Sequence, residues 1–351
     1  TGCVLRRCIL RASLPEQISY VLAVQVKILD SKIFFIFPGQ GSQYRGMGTD
    51  LVEQFPRARE IFDQASEVVG YNMTELCFKD PKGQLDSTQF TQPALLTHQV
   101  ACLESFKSES KGIVQPTVLA GHSVGEYSAL VAGGALSFET ALRLVKHRGE
   151  LMGKLGKGTM LATTLDFESA IKLADKHYCG IGGCNLPQQT VIAGEHDDLE
   201  ALMDDLTQFY PGKRGIRLKT EGAFHTYLMV GAAQEFRKIL DGVEFRDLET
   251  DVLSNYTGTF HEVDSAAIRS RLFFQLFNPV RWVDCMEAAM DKEVEIIVEF
   301  GGGIGKEEGP ENKRPNLESI TRKSLKMNQR EALYVPAINA SSISSAAEKL
   351  T

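Results

Sequence analysis

Short apolar runs without a polar break alternate along this chain with stretches whose apolar residues recur every three or four positions. Ile33-Phe34-Phe35-Ile36-Phe37 is apolar on both faces, the pattern of a parallel strand buried on either side. Val118-Leu119-Ala120 and the segments 252–255 and 294–300 read the same way. Helical periodicity predicts helices from about residue 48, over 55–69 and 73–77, and over 126–131, 137–151 and 266–277. Ser137 is a natural cap for the helix that follows it. A Pro/Gly/Asp-rich break at 80–86 precedes Thr91-Gln92-Pro93-Ala94, which predicts a helix start with proline in its first turn. The tail predicts a strand or link at 333–336 and a helix over 342–349.

Between residues 158 and 220 the rhythm changes. Strand patterns at 159–165, 180–184, 190–193 and 215–219 are interleaved with helix patterns at 167–177 and 195–209. That order, β-α-β-β-α-β, predicts a ferredoxin-like unit inserted into a larger α/β fold. Glycine-rich 153–158 and Glu221-Gly222 would be its hinges. The expected division is a large domain of residues 31–157 and 221–351, a small domain of 158–220, and an unassigned extension of 1–30. In that extension Arg6, Arg7 and Arg11 precede the first acidic residue, Glu16. This is the charge pattern of an organellar, for instance mitochondrial, presequence, although an upstream linker is the simpler reading. Residues 21–29 could form a strand or a short helix.

Composition removes several classes of function. A chain of 351 residues with 24% charged and 43% hydrophobic residues has enough apolar material for a large core. Its net charge of −7 argues against general nucleic-acid binding, which needs a broad basic surface. No apolar run approaches the roughly 20 residues of a membrane span. Seven scattered cysteines read as reduced thiols in a cytoplasm-like compartment. Cys179 and Cys184 lack zinc-like spacing and a second pair, so no metal is expected there.

The chemistry centres on Gly121-His122-Ser123-Val124-Gly125, a Gly-x-Ser-x-Gly run between a strand pattern and a helix pattern. Strand, tight turn and helix in that order form a nucleophile elbow, with the helix N-terminus aimed at the serine. A serine hydroxyl needs a base, and histidine titrates in the right range. His122 adjoins Ser123 but would point away from it, which suits an orienting or substrate-contacting role. His147, His177 and His196 lie on helix patterns among charged residues and read as solvated surface. His225 sits between Ala223-Phe224 and Leu228-Met229 at a predicted domain junction, where a buried imidazole fits. No Asp or Glu stands out as the group that would orient it. The glycine loop Pro38-Gly39-Gln40-Gly41-Ser42-Gln43 ends the first strand and has neither a P-loop Lys-Ser/Thr nor a dinucleotide fingerprint. Its glycines instead allow backbone N–H groups to face a reacting oxygen. Arg148, on the helix pattern after the elbow, would pair bidentately with a carboxylate if it faced an acyl-binding cleft.

Taken in order, FPGQGSQ, TQPALL, GHSVGEYSAL, the arginine of RGELM, GAFH and FNPVRW carry a family resemblance over about nine-tenths of the chain. The sequence resembles the malonyl-CoA:acyl-carrier-protein transacylases of fatty acid synthesis and the discrete acyltransferases that serve polyketide synthases. The resemblance implies an α/β-hydrolase-like large domain with the ferredoxin-like insert. It implies Ser123 as the acyl-enzyme nucleophile, His225 as its base, and the N–H groups of Gln40 and Val124 as the oxyanion hole. Arg148 would bind the malonyl carboxylate and Gln92 would line the pocket. The backbone carbonyl of Gln275 would steady His225, and Phe224 would crowd the α-carbon and favour malonyl over methylmalonyl. No cofactor is implied; the substrate is malonyl-CoA, the protein partner an acyl carrier protein, and the expected state a cytoplasmic monomer. The alternative is a proofreading acyl hydrolase acting on carrier-bound chains. Two departures stand out: Gly183 replaces the first of two family asparagines while Asn185 matches the second, and Gly301-Gly302-Gly303 replaces a Gly-Pro-Gly segment.

Such carriers are acidic, so a local basic docking surface is expected on this acidic chain. Three clusters are candidates: residues 146–157, then Lys213, Arg214, Arg217 and Lys219, and finally Lys313-Arg314 with Arg322-Lys323. The first two are expected to flank the cleft entrance.

Overall fold

The computed structural model describes residues 31–351, so the expectations for residues 1–30 lie outside the described residues. Nine strands follow in chain order: β1 Ile33–Phe37, β2 Val118–Gly121, β3 Thr159–Thr163, β4 Gly180–Leu186, β5 Gln189–Gly194, β6 Gly215–Leu218, β7 Asp251–Val252, β8 Ile296–Phe300 and β9 Leu333–Ala337. They form a five-stranded sheet ordered β7-β2-β1-β8-β9 and a four-stranded sheet ordered β4-β5-β3-β6. Every pairing in the first is parallel and every pairing in the second antiparallel.

β1 is central in the parallel sheet and buried at all five positions, as its unbroken apolar run requires. Its side chains alternate between two cores. Phe35 and Phe37 pack edge-on and stacked against Phe300, with Phe106 closing the group. Phe34 and Ile36 face Leu253, Trp282 and Met286 on the other side. The helix Thr88–Glu109 lies on the first face and is buried at most of its positions. It begins three residues before the expected start, so Pro93 falls inside it and not in its first turn. The turn that forms it is closed by Phe90 and Thr91 N–H groups bonding the Ser87 carbonyl.

The smaller sheet shows the same two-sided logic. Leu161 and Ile192 face a core completed by Leu173, Leu199, Leu202 and Leu206 from the helices Phe167–Lys176 and His196–Phe209. Met160, Val191 and Ala193, at alternate positions, join the core of the larger body. His177, expected as solvated surface, is half-buried because its Nε2 bonds the Asp205 carboxylate at 2.7 Å. His147 and His196 are exposed as expected.

One further expectation fails, and three helices lie where none was expected. The strand over 252–255 is cut to Asp251–Val252, because Asn255 spends its backbone N–H and its side chain on residues around the elbow. The helices Val230–Leu240, Trp282–Asp291 and Glu318–Met327 were not foreseen. Ser137 does cap the helix Phe138–Leu155, accepting the Thr140 N–H at 3.2 Å.

Candidate active site

β1 and β2 end side by side, with Phe37 paired to Gly121. The chain beyond each end forms one rim of a cleft of about 820 Å³ at the carboxyl edge of the parallel sheet. After β2 the chain turns through Ser123, whose φ of +53° is left-handed and costly for a residue with a side chain. The turn closes only because its flanking residues have no side chain. A Cβ on Gly121 would lie 1.8 Å from the Gly125 carbonyl carbon, and one on Gly125 would lie 2.3 Å from the Phe37 oxygen. The helix Gly125–Ala132 then starts, leaving Val124 at its N-terminal end, where N–H groups lack intrahelical acceptors. In the loop after β1, Gly39 approaches so closely that a Cβ there would meet the His122 oxygen at 2.8 Å. Gln99 braces this loop from behind, donating to the Pro38 carbonyl at 2.6 Å.

Ser123 Oγ lies 2.7 Å from His225 Nε2, and His225 Nδ1 lies 2.7 Å from the Gln275 carbonyl oxygen. The carbonyl accepts the Nδ1 proton, so Nε2 carries the lone pair and accepts the serine proton. His225 also has a left-handed φ, +63°, and is almost fully buried. Burial pushes its pKa down to about 3, and the nearby Arg148 charge pushes the same way against the Gln275 bond. The imidazole is therefore neutral, the form that a base must have.

Arg148 has no exposed surface. Its Nη1 donates to Gln92 Oε1 at 2.8 Å, and its Nη2 to Gln275 Oε1 at 3.0 Å and Ser123 Oγ at 3.2 Å. Nε has no partner among the described residues. Such a guanidinium is held beneath the nucleophile, and a carboxylate reaching it would exchange places with Gln92, Gln275 or Ser123.

Gln40, Gln92, His122, Ser123, Val124, Phe224 and His225 all line the cleft, whereas Arg148 and Gln275 lie behind that surface. Opposite them the small sheet supplies Met160, Gly182, Gly183, Asn185, Val191 and Leu218. His122 Nε2 donates to Asn185 Oδ1 at 2.9 Å, joining the two walls, and burial lowers its pKa. At Gly183 the departure from the family pattern leaves room, since an added Cβ would meet Val280 only at an ordinary 3.5 Å.

Sequence reasoning missed a polar group of residues under the elbow. Asn255 Oδ1 accepts the Ser123 N–H at 2.6 Å, and its Nδ2 donates to the Gly121 oxygen at 2.8 Å. Glu126 is fully buried and bonded to Asn255, Gln275 and His261. The one available signal was a glutamate in an otherwise apolar helix start, directly after the motif. The basic clusters also need correction. Residues 146–157 contribute only Met152 to the cleft, and of the second cluster only Lys219 lines it. Lys213 and Arg214 precede β6, whose other end, Leu218, reaches the cleft. No basic residue of the third cluster lines the cleft, although Asn316, Leu317 and Ile320, between its two halves, do.

A model described as the acyl transferase domain matches residues 34–300. A malonyl CoA-acyl carrier protein transacylase of Bacillus subtilis is 38% identical over 282 residues, which cover 78% of this chain and 87% of the relative. A polyketide-biosynthesis malonyl CoA-acyl carrier protein transacylase of Bacillus velezensis is also 38% identical, over 77% of this chain and 93% of that one. Among solved structures, the transacylase of Clostridium perfringens superposes with a TM-score of 0.80 at 31% identity, covering 91% of this chain and 97% of that one. A malonyl-transacylase in complex with a type II polyketide synthase acyl-carrier protein gives 0.81 at 32%, covering 91% and 99%. The chain belongs to the acyl transferase family, in the branch of the malonyl CoA-acyl carrier protein transacylases.

Proposed function

We propose that the chain transfers a malonyl group from malonyl-CoA to the phosphopantetheine thiol of an acyl carrier protein through an ester on Ser123. The observation that carries this reading is the line Ser123 Oγ–His225 Nε2–His225 Nδ1–Gln275 O, two contacts of 2.7 Å each, with Arg148 buried beside it. His225 takes the Ser123 proton as Oγ attacks the thioester carbon. The N–H groups of Gln40 and Val124 receive the oxyanion, each of them worth on the order of a hundredfold in rate in sites of this type. Collapse expels the CoA thiolate, which takes the proton from His225. The carrier thiol then gives its proton to His225 and attacks the ester, and Ser123 leaves with that proton restored. Arg148 pairs with the free carboxylate and selects dicarboxylic acyl groups. Gln92 and His122 border the acyl group, and Phe224 limits substitution at its α-carbon.

Each proton and electron pair in this cycle comes from Ser123, His225 and the two thiols, so no cofactor enters it. The strand order β4-β5-β3-β6 supports a ferredoxin-like small domain of 158–220. The parallel sheet with its strand–elbow–helix unit supports a hydrolase-like large domain of 31–157 and 221–351. A cytoplasmic location fits the five described cysteines, all free, and a monomer is part of the same proposal. The proofreading hydrolase is not favoured, since the matching relatives are transacylases.

Intact-protein mass spectrometry after incubation with malonyl-CoA, acetyl-CoA and free CoA tests this reading. One malonyl adduct is expected on the wild-type chain and none on Ser123→Ala. An undiminished adduct on Ser123→Ala would overturn it, as would a wild-type chain that takes acetyl in preference to malonyl.

A further inference from the structure

The reacting pair stands on a second polar layer that the reaction as written does not use. At its centre is Glu126, the second residue of the helix Gly125–Ala132, with no exposed surface. Its Oε1 accepts from His261 Nε2 at 2.8 Å, and its Oε2 from the Asn255 N–H at 3.0 Å and Gln275 Nε2 at 2.7 Å. A buried carboxylate is costly even with hydrogen bonds, and an apolar residue at this position would have been cheaper for folding alone.

The chemistry of the carboxylate supplies a reason for it. Glu126 Oε2 already accepts the Asn255 N–H, an obligatory donor, and the end of the Gln275 amide that faces the same oxygen is the NH2. That NH2 also donates to the Ser123 carbonyl at 3.0 Å. The amide oxygen is thereby turned toward Arg148 Nη2, 3.0 Å away, while the main-chain oxygen of the same residue holds His225. Carboxyl, amide and guanidinium groups form a buried hydrogen-bonded chain with Gln275 between the other two. A second arm runs through Asn255 to the Ser123 N–H.

We propose that Glu126 is a positioning residue: together with the Ser123 carbonyl it anchors the Gln275 NH2, and so keeps the amide oxygen on the acyl-selecting Arg148, in register with the Ser123–His225 pair. The inference rests on the proposed transacylase reading. It predicts that Glu126 acts on acyl selection only through the Gln275 side chain. Glu126→Gln keeps the shape but offers an NH2 of its own, so the Gln275 NH2 loses its carboxylate acceptor and is left with the Ser123 carbonyl alone. Gln275→Leu removes the amide and keeps the carbonyl that holds His225.

The test is a double-mutant cycle on the single-turnover rates of malonyl and acetyl adduct formation from the two CoA thioesters. Each single variant is expected to lower the malonyl-to-acetyl rate ratio by about tenfold, the scale of one hydrogen bond to a charged group. The double variant should fall no more than about twofold below the lower single, because the two residues act in series. Losses that multiply in the double variant overturn the proposal. So does an Glu126→Gln chain that loses malonyl and acetyl rates equally, which is what a merely structural role would give. If Glu126→Gln does not yield folded protein, Gln275→Leu decides alone: an unchanged ratio sinks the inference. A wild-type chain that takes no malonyl adduct refutes the transacylase reading instead, and the two failures are thus distinct.

Discussion

The two walls of the cleft are built on opposite principles. On the parallel-sheet wall nearly every polar atom near Ser123 is committed: its N–H to Asn255, its carbonyl to Gln275, its hydroxyl to His225 and Arg148. On the small-sheet wall the lining is mostly Met160, Gly182, Gly183, Val191 and Leu218, with Gln189 beside them and Asn185 as the cross-link to His122. A preorganised wall suits the step in which charge develops, because donors already in place need no reorganisation. An apolar wall with glycines suits the step that admits two different thioesters, a nucleotide-bearing one and a protein-bearing one. The difference assigns chemistry to one sheet and accommodation to the other.

The comparison can be broken most severely at Arg148. If the committed wall selects the acyl group, Arg148→Ala should lose about a hundredfold in preference for malonyl-CoA over acetyl-CoA, the scale of roughly 2–3 kcal/mol for a bidentate charged pair. Competition between the two thioesters for the single-turnover adduct measures this directly. A wild-type preference in the variant would move selection to the shape of the opposite wall.

A smaller effect follows from three buried histidines, His122 and His225 of the committed wall and His98, which accepts the Gly302 N–H in the core. Burial pushes His98 down to about 4 and His225 down to about 3, and it lowers His122 as well. Above the ordinary histidine value both folded and unfolded chains carry these rings neutral, so pH changes nothing there. As pH falls below about 6.5 the unfolded chain takes up protons that the folded chain refuses, and stability is lost. His98 and His225 each contribute roughly 1 kcal/mol of loss over the first pH unit, and His122 acts in the same direction. Glu299 opposes them: burial pushes it up to about 7, so over the same window the folded chain carries a proton that the unfolded chain lacks, and stability rises by a similar amount. The net expectation is a loss of about 1 kcal/mol or somewhat more between pH 6.5 and 5.5. Urea unfolding at the two pH values checks it, and a chain equally stable at both would mean that these rings are protonated when folded.

How much of this was legible in the sequence follows from how local each feature is. The elbow is a five-residue pattern, and its glycines and serine stand where the expected geometry requires them. His225 was found because it sits among apolar residues, and the small sheet because its four strands and two helices follow one another without interruption. Glu126 was passed over because an acid in the first turn of a helix is ordinary. Only tertiary packing brings His261 to it, from 135 positions further along the chain. Asn255 looked like the end of a strand for the same reason: its partners are the elbow, more than a hundred residues earlier. The basic clusters were misjudged because the sequence does not say which end of β6 faces the cleft.

That last error supplies the mildest test of the comparison, since it concerns the rim where the accommodating wall meets solvent. β6 runs from Gly215 to Leu218, and Leu218 and Lys219 line the cleft. At about 3.3 Å per residue, Lys213 and Arg214 lie some 15 Å or more along the strand from Lys219, beyond a Debye length of about 8 Å at physiological salt. Lys219 is exposed, at the mouth through which an acidic carrier must deliver its thiol. Lys219→Glu should therefore slow transfer from the acyl-enzyme to the carrier several-fold at low salt and flatten the salt dependence, an effect of about 1 kcal/mol or less. Reversing Lys213 and Arg214 together should change the same rate by less than about twofold. Self-acylation from malonyl-CoA serves as the internal control, because it needs no protein partner. If the Lys213/Arg214 reversal slowed carrier transfer more than Lys219→Glu did, the carrier would dock on the far end of the small sheet, and the rim would serve only the thioester arm.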